Sequence, residues 1–291
     1  MRYFISLSYN GSAFCGWQIQ ENANSVQEEI QKALSTLLKE SISVTGAGRT
    51  DTGVHAKNYI AHFDCQSVIQ DVPHTLYKLN AILPQEIAVH NIFEVAADAH
   101  ARFDAISRTY KYYIHTNKDP FDNGFSLFVK PDRVNIDLMN QAALHFLGEQ
   151  DFSSLEKING GNKTSICNVT YAKWEQIDEN RYVFTVTANR FLRNMVRAMV
   201  GSLLEVGAGK RNPDWIKQML SEKNRSSAGQ SVNGKALFLV EVKYPYPLGL
   251  SGLENKVLEN SESPVVKNMI VDVEKGFAGS ASSLMAEQID K

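Results

Sequence analysis

Two rhythms of apolar positions run along this chain, one of period two and one of helical spacing, and their order predicts its elements. Residues 2–9, RYFISLSY, alternate apolar with polar positions and run into Asn10-Gly11, which predicts a strand closed by a turn. Val26, Ile30, Ala33, Leu34, Leu37 and Leu38 then recur at helical spacing. Ser25 offers an N-cap, and Glu28 three residues later completes a capping box, so a helix is expected over 25–39. Residues 42–45 read as a strand entering a Gly-rich loop, 59–65 as another strand, and 76–83 as a short helix ending before Pro84. The second half repeats the mixture. A strand is expected over 107–115, a helix over 136–146, and paired strands over 172–177 and 182–188. A long helix over 191–206 is stopped by Gly207 and Gly209. Asn212-Pro213 caps a further helix through 220, and 236–242 closes the sheet.

Strands and helices are interspersed without the regular alternation of a parallel sheet, so the expected class is α+β. Two halves of similar content predict two related domains, 1–104 and 105–247. Each would have a mixed or antiparallel sheet flanked by helices, with an active-site cleft between them. Past Tyr244-Pro245-Tyr246-Pro247 the composition turns to Ser, Gly and Glu. Residues 248–291 are therefore expected to form a flexible extension, with a short strand at 265–273.

Composition narrows the class. At 43% hydrophobic and 21% charged residues, the chain is neither disordered nor membrane-like. No apolar run approaches the roughly 20 residues of a membrane helix. The amino terminus alternates instead of forming an apolar block, so it does not read as a secretory signal, and the cytoplasm is the expected compartment. Cys15, Cys65 and Cys167 are odd in number and widely spaced, which argues against a disulfide framework or a thiolate zinc site. Net charge is −2. Four Lys against seven Asp and Glu from Leu248 onward leave the body near +1, so a nucleic-acid site would have to be a local basic cleft.

The densest polar cluster is GAGRTDTGVHA, Gly46 to Ala56. Its glycines permit a tight turn and close backbone approach, and it holds Arg49, Thr50, Asp51, Thr52 and His55. A dinucleotide loop fits poorly, because Asp51 stands where the third glycine of GxGxxG belongs and would repel a pyrophosphate. A Walker loop lacks its Gly-Lys-Ser/Thr. His55 and His62, seven apart and without a carboxylate pattern, do not read as zinc ligands, so no metal is expected. Trp17 and Phe14 read as core residues.

This loop resembles the signature of the tRNA pseudouridine synthase A family, with the family's catalytic aspartate falling on Asp51. Further blocks agree in order: YNGSAFCGWQIQ (Tyr9 to Gln20), Ser25-Val26-Gln27, ARFDA with Arg108, Tyr110 and Tyr112, Asp151-Phe152-Ser153-Ser154, FLRNMVR (Phe191 to Arg197), and Ala236-Leu237-Phe238-Leu239. The resemblance spans residues 3–247. Asn10 departs from the family's usual aspartate, and Val232 to Leu237 departs from its Ala-Pro-Ala-x-Gly-Leu.

The resemblance implies isomerisation of uridine to pseudouridine at positions 38, 39 or 40 of the anticodon stem-loop of tRNA, by a homodimer. Such a reaction needs neither redox cofactor nor ATP, and no cofactor is expected. Asp51 would act as nucleophile at C1′ or as base at C2′. Arg197 would pair with it, since a guanidinium favours a charged carboxylate. Tyr110 would contact the target base, by stacking or by helping to move the C5 proton. Arg49 would hold the gap left by the extruded nucleotide. Lys57, Arg102, Arg108, Lys111, Arg190, Arg193, Lys210 and Arg211 are candidates for phosphate contact. Two rivals remain: a noncatalytic RNA-binding or RNA-folding module on the same scaffold, and a nucleotide-binding enzyme using the Gly-rich loop.

Overall fold

The computed structural model describes residues 1–157 and 163–248. The expected extension from 249 onward, with its strand at 265–273, lies outside the described residues.

In chain order the elements are β1 (Arg2–Tyr9), α1 (Val26–Leu38), β2 (Val44–Gly46), β3 (His55–Asp64), α2 (Val72–Ile82), β4 (Ile87–Val95), β5 (Ser107–His115), β6 (Leu127–Phe128), α3 (Ile136–Ala143), β7 (Gly148–Asp151), β8 (Ile166–Gln176), β9 (Arg181–Ala188), α4 (Met195–Gly207), α5 (Trp215–Ser221) and β10 (Leu237–Lys243). Among the described residues no helix is long and apolar enough to cross a membrane. Helix α1 starts as its capping box dictates, with Ser25 Oγ accepting from Glu28 N at 3.3 Å. Helix α2 begins four residues ahead of its apolar repeat, because Asp71 caps it and Pro73 sits in its first turn.

The strands form one mixed sheet in the order β4-β1-β3-β10-β5-β9-β8-β7, with β2 on β3 and β6 on β5. Most neighbours are antiparallel; β10 runs parallel to β3 and β6 parallel to β5. Residues Met1–Pro245 form a single compact unit. The expected halves therefore meet inside one sheet, where β10, from the end of the second, lies between β3 of the first and β5 of the second. Its pairing sets the positions that matter below: Phe238 lies beside His55, and Leu239 beside both Ala56 and Tyr110.

Strand β3 starts at His55, ahead of the expected 59, because a bulge between Leu7 and Tyr9 lets Tyr9 pair with Ala56. Strands β4 and β7 have no counterpart among the predicted elements. Both are outer strands of the sheet, and the one-sided burial of β4 and the exposed Gly148-Glu149 of β7 weaken the apolar signal. Under the second half, Trp174, Phe184, Phe146, Phe152 and the α4 residues Met199, Val200 and Leu203 form a continuous buried core. Helix α3 packs on both α4 and β8.

Candidate active site

The Gly-rich loop connects β2 to β3, and it is fixed from behind. Gly46 ends β2 against two aromatic side chains; a Cβ there would stand 2.1 Å from Tyr59 Oη and 2.6 Å from the Trp17 ring, so no larger residue fits. Trp17 stacks on Tyr59 with centroids 4.2 Å apart. Tyr59 Oη donates to Gly48 O. Tyr9 Oη and Thr50 Oγ1 share a hydrogen bond of 2.9 Å, and Trp17 N donates to Thr50 O at 3.3 Å. Gly16 sits in the left-handed region at φ 94°, and a Cβ on it would lie 2.4 Å from Thr50 O. Trp17 and Phe14 belong to the buried core. With Thr50 held from the rear, the Asp51 carboxylate is left facing forward.

What faces it comes from the second half. Arg197 Nη1 donates to Asp51 Oδ2 at 3.1 Å while its Nε donates to Val232 O at 2.7 Å. The guanidinium is thus held at two edges and cannot swing away from the carboxylate without losing the second bond. Arg193 Nε stands 3.6 Å from Asp51 Oδ1, an ion pair longer than a hydrogen bond. The predicted helix over 191–206 starts only at Met195. Asn194 adopts a left-handed conformation, φ 71°, with its Nδ2 donating to Ser231 Oγ, so residues 191–194 cannot continue the helix backward. That break takes Arg193 off the helix and brings it to Asp51.

Tyr110 lies on β5 between Leu239 and Val186, and its ring meets Phe191 edge-on at 5.1 Å. Burial, with Asp51 adding to it against the opposing charge of Arg108, pushes its hydroxyl up to about 12, so the phenol stays protonated at neutral pH. Arg108, two residues earlier on the strand, is engaged entirely by backbone. Nη1 donates to Ala105 O and Asn189 O, each at 2.8 Å, and Nη2 to Ala47 O at 2.9 Å and Arg102 O at 2.7 Å. One half-buried guanidinium therefore ties the Gly-rich loop, the 102–105 turn and the end of β9 together. Those bonds leave it turned toward protein and not toward solvent phosphate.

These residues line one cleft of about 1650 Å³. Among the described residues its wall carries nine basic side chains, Arg49, Arg102, Arg108, Lys157, Lys163, Arg190, Arg193, Arg197 and Arg225, and one carboxylate, Asp51. Arg49 and Arg102 are exposed at its rim. Lys57 is not among them. It lines a separate hollow of about 410 Å³ with His55, Phe125 and Phe238, its Nζ 5.5 Å above the Phe238 ring. Lys111, Lys210 and Arg211 also lie away from the cleft, and Arg211 pairs with Glu205 at 3.7 Å.

His55 is a strut. Gly11 N donates to its Nδ1 at 3.1 Å, its Nε2 donates to Lys235 O at 2.9 Å, and burial lowers its pKa, so it is neutral. The two departures noted in the sequence keep their local work. Asn10 Oδ1 accepts from Ser12 N at 3.1 Å, a bond an aspartate would make equally. Residues 232–235 supply the carbonyls that hold Arg197, Tyr112 and His55, and Asn233 caps their turn. Sequence reasoning did not assign this segment a role, nor Arg225, Lys157 and Lys163. Backbone carbonyl acceptors leave no side-chain signature, and lone basic residues outside a recognised block carry none either.

A model of the tRNA pseudouridine synthase family matches residues 5–104 and 142–245. A Bacteroides fragilis protein named tRNA pseudouridine synthase A is 50% identical over 244 residues, covering 84% of this chain and 96% of that one. Its namesake from Parabacteroides distasonis is 49% identical over 247 residues, with 85% and 97% covered. One from Aliivibrio salmonicida is 39% identical over 248 residues, with 84% and 93% covered.

Proposed function

The chain belongs to the tRNA pseudouridine synthase family, and from that premise we propose that it isomerises uridine to pseudouridine in tRNA with Asp51 as its essential carboxylate. The observation that carries this reading is the cleft wall itself: among the described residues, one carboxylate and nine basic side chains, on a chain whose net charge is −2. Such a wall suits a polyanion that must be gripped along its backbone while a single group acts on one sugar. A dinucleotide or ATP reading gives no role to a carboxylate at the centre.

In the proposed reaction the C1′–N1 bond breaks, the uracil turns, and C1′ bonds to C5; the C5 proton leaves and N1 gains one. Asp51 serves as nucleophile at C1′ or as base at C2′. Arg197 and Arg193 orient and balance its charge. Tyr110, protonated at neutral pH, packs against the base and offers a hydroxyl proton; as a base it would need a phenolate it does not form there. Arg49 holds the space vacated by the extruded nucleotide. Arg108 acts on the loop and Arg102 on phosphate. The family resemblance extends this reading to positions 38, 39 and 40 of the anticodon arm, and to a homodimer with RNA reaching both subunits.

The test is tritium release from tRNA transcribed with [5-³H]uridine, run with the parent protein and Asp51→Asn. Release by the parent only, with tRNA binding kept by the variant, is the expected outcome. Binding without release by either protein would favour the noncatalytic RNA module.

A further inference from the structure

The cleft wall carries one exposed aromatic among the described residues, and the reaction proposed above does not use it. Phe103 is 75% exposed. Single exposed apolar side chains are common and usually mean nothing. This one sits on a turn whose backbone is held too firmly for slack loop. His100 Nδ1 accepts from Arg102 N at 3.1 Å and from Phe103 N at 3.2 Å. Asp104 Oδ2 accepts from His100 N at 2.7 Å, and Asp104 N donates to His100 O at 3.1 Å. Ala101 N donates to His62 Nδ1 at 3.1 Å, and Arg108 grips Arg102 O and Ala105 O. The Phe103 ring rests on His100, centroids 4.3 Å apart, and the Arg102 guanidinium stands 5.7 Å from its centre. His100 supports the ring, the Arg102 guanidinium lies over it at a distance too long for close contact, and most of the ring is open to solvent.

We propose that the 100–104 turn is a base-stacking platform, on which Phe103 takes the face of an unpaired nucleobase of the RNA while Arg102 takes an adjoining phosphate. The inference rests on the RNA reading of the same cleft. A π face accepts any base, so the platform contributes affinity and positions the strand without reading sequence. The target uridine goes to Asp51 and Tyr110; the platform holds a second, unstacked base at the rim. Because Arg108 binds the carbonyls of both Arg102 and Ala47, the platform and the catalytic loop are anchored to the same guanidinium.

The experiment measures tRNA binding across a salt series, together with tritium release, for the full chain and for Phe103→Ala, Phe103→Trp and Arg102→Ala. Phe103→Ala is expected to raise the tRNA Kd about 5- to 100-fold, the range of one lost stack, and to leave the salt slope unchanged. Arg102→Ala should weaken binding and flatten the slope by about one. Phe103→Trp should bind like the parent, and its added indole emission should be quenched by tRNA. Thermal melting checks that each variant folds; a side chain this exposed should shift it little. Parent-like affinity in Phe103→Ala, or no quenching in Phe103→Trp, overturns the platform. A parent that binds tRNA yet releases no tritium, with Phe103→Ala still weakened, would sink the isomerase reading and leave the platform standing.

Discussion

The two halves of the sheet hold their shares of the cleft by opposite means. The first half fixes backbone: Gly16 and Gly46 let other elements press onto the loop, and Tyr9, Trp17 and Tyr59 brace it from behind. The second half fixes side chains: Arg197 is aimed by Val232 O, and Arg193 by the left-handed turn at Asn194. A carboxylate on a two-bond stem can be placed only by placing its backbone. A guanidinium at the end of a long stem needs a second acceptor to hold it. Titration separates the halves as well. His55, His62 and His100, all of the first half, accept backbone N–H bonds at Nδ1 and must be neutral to do so. Arginine stays charged throughout the accessible range.

The largest effect should come from the long-stemmed partner. Arg197→Gln removes a charge-assisted bond to Asp51, and at about 1.5–3 kcal/mol for such a bond the loss in kcat is roughly 10- to 100-fold. Arg197→Lys should recover little of it, because one ammonium cannot serve both Asp51 and Val232 O. Single-turnover rates at saturating tRNA measure this. A lysine variant with full activity would break the claim that two acceptors aim the guanidinium.

Acid should act next, and on the first half. Burial lowers the pKa of His55 and His100, and burial with the neighbouring His100 and Arg2 takes His62 down to about 4. Between pH 6.5 and 4 the unfolded chain binds protons that the folded chain refuses. The stability is thus fully present above pH 6.5 and is lost as pH falls toward 4. For His62 alone the loss by pH 5 is about 2 kcal/mol. Urea unfolding at pH 7 and pH 5 reads it, and a midpoint unmoved between them would refute the role given to these rings. The smallest effect belongs to Lys57→Ala. Lying outside the cleft, it should leave tRNA affinity and its salt slope within error of the parent.

Much of the cleft's lining is legible in the sequence. Asp51 announced itself by standing as a carboxylate where a phosphate-binding loop needs glycine, and the order of the sequence blocks pointed to Tyr110 and Arg197. The helix at 25–39 and the strand at 107–115 followed from period and capping alone. The strands β4 and β7 did not, because outer strands with solvent on one flank lack a continuous apolar run. The early start given to α4 failed for a different reason: FLRN has helical spacing, and only Ser231, far along the chain, holds Asn194 in the turn that stops it. Lys57 and Arg108 drew attention as cations. Which of them faces RNA depends on which side of a strand it leaves and which carbonyls stand nearby.

Local pattern therefore determined most of the elements and the Gly-rich loop that carries Asp51, since periodicity, capping and turn chemistry act within a few residues. The tertiary structure decided that β10 would run between the halves, that Arg108 would donate to four carbonyls, and that nine basic residues of a chain with net charge −2 would line the cleft that holds Asp51. The β10 pairing and the Asp51–Arg197 contact join residues more than a hundred positions apart, and Arg108 reaches carbonyls 61 and 81 positions away, so no local window along the sequence contains both partners.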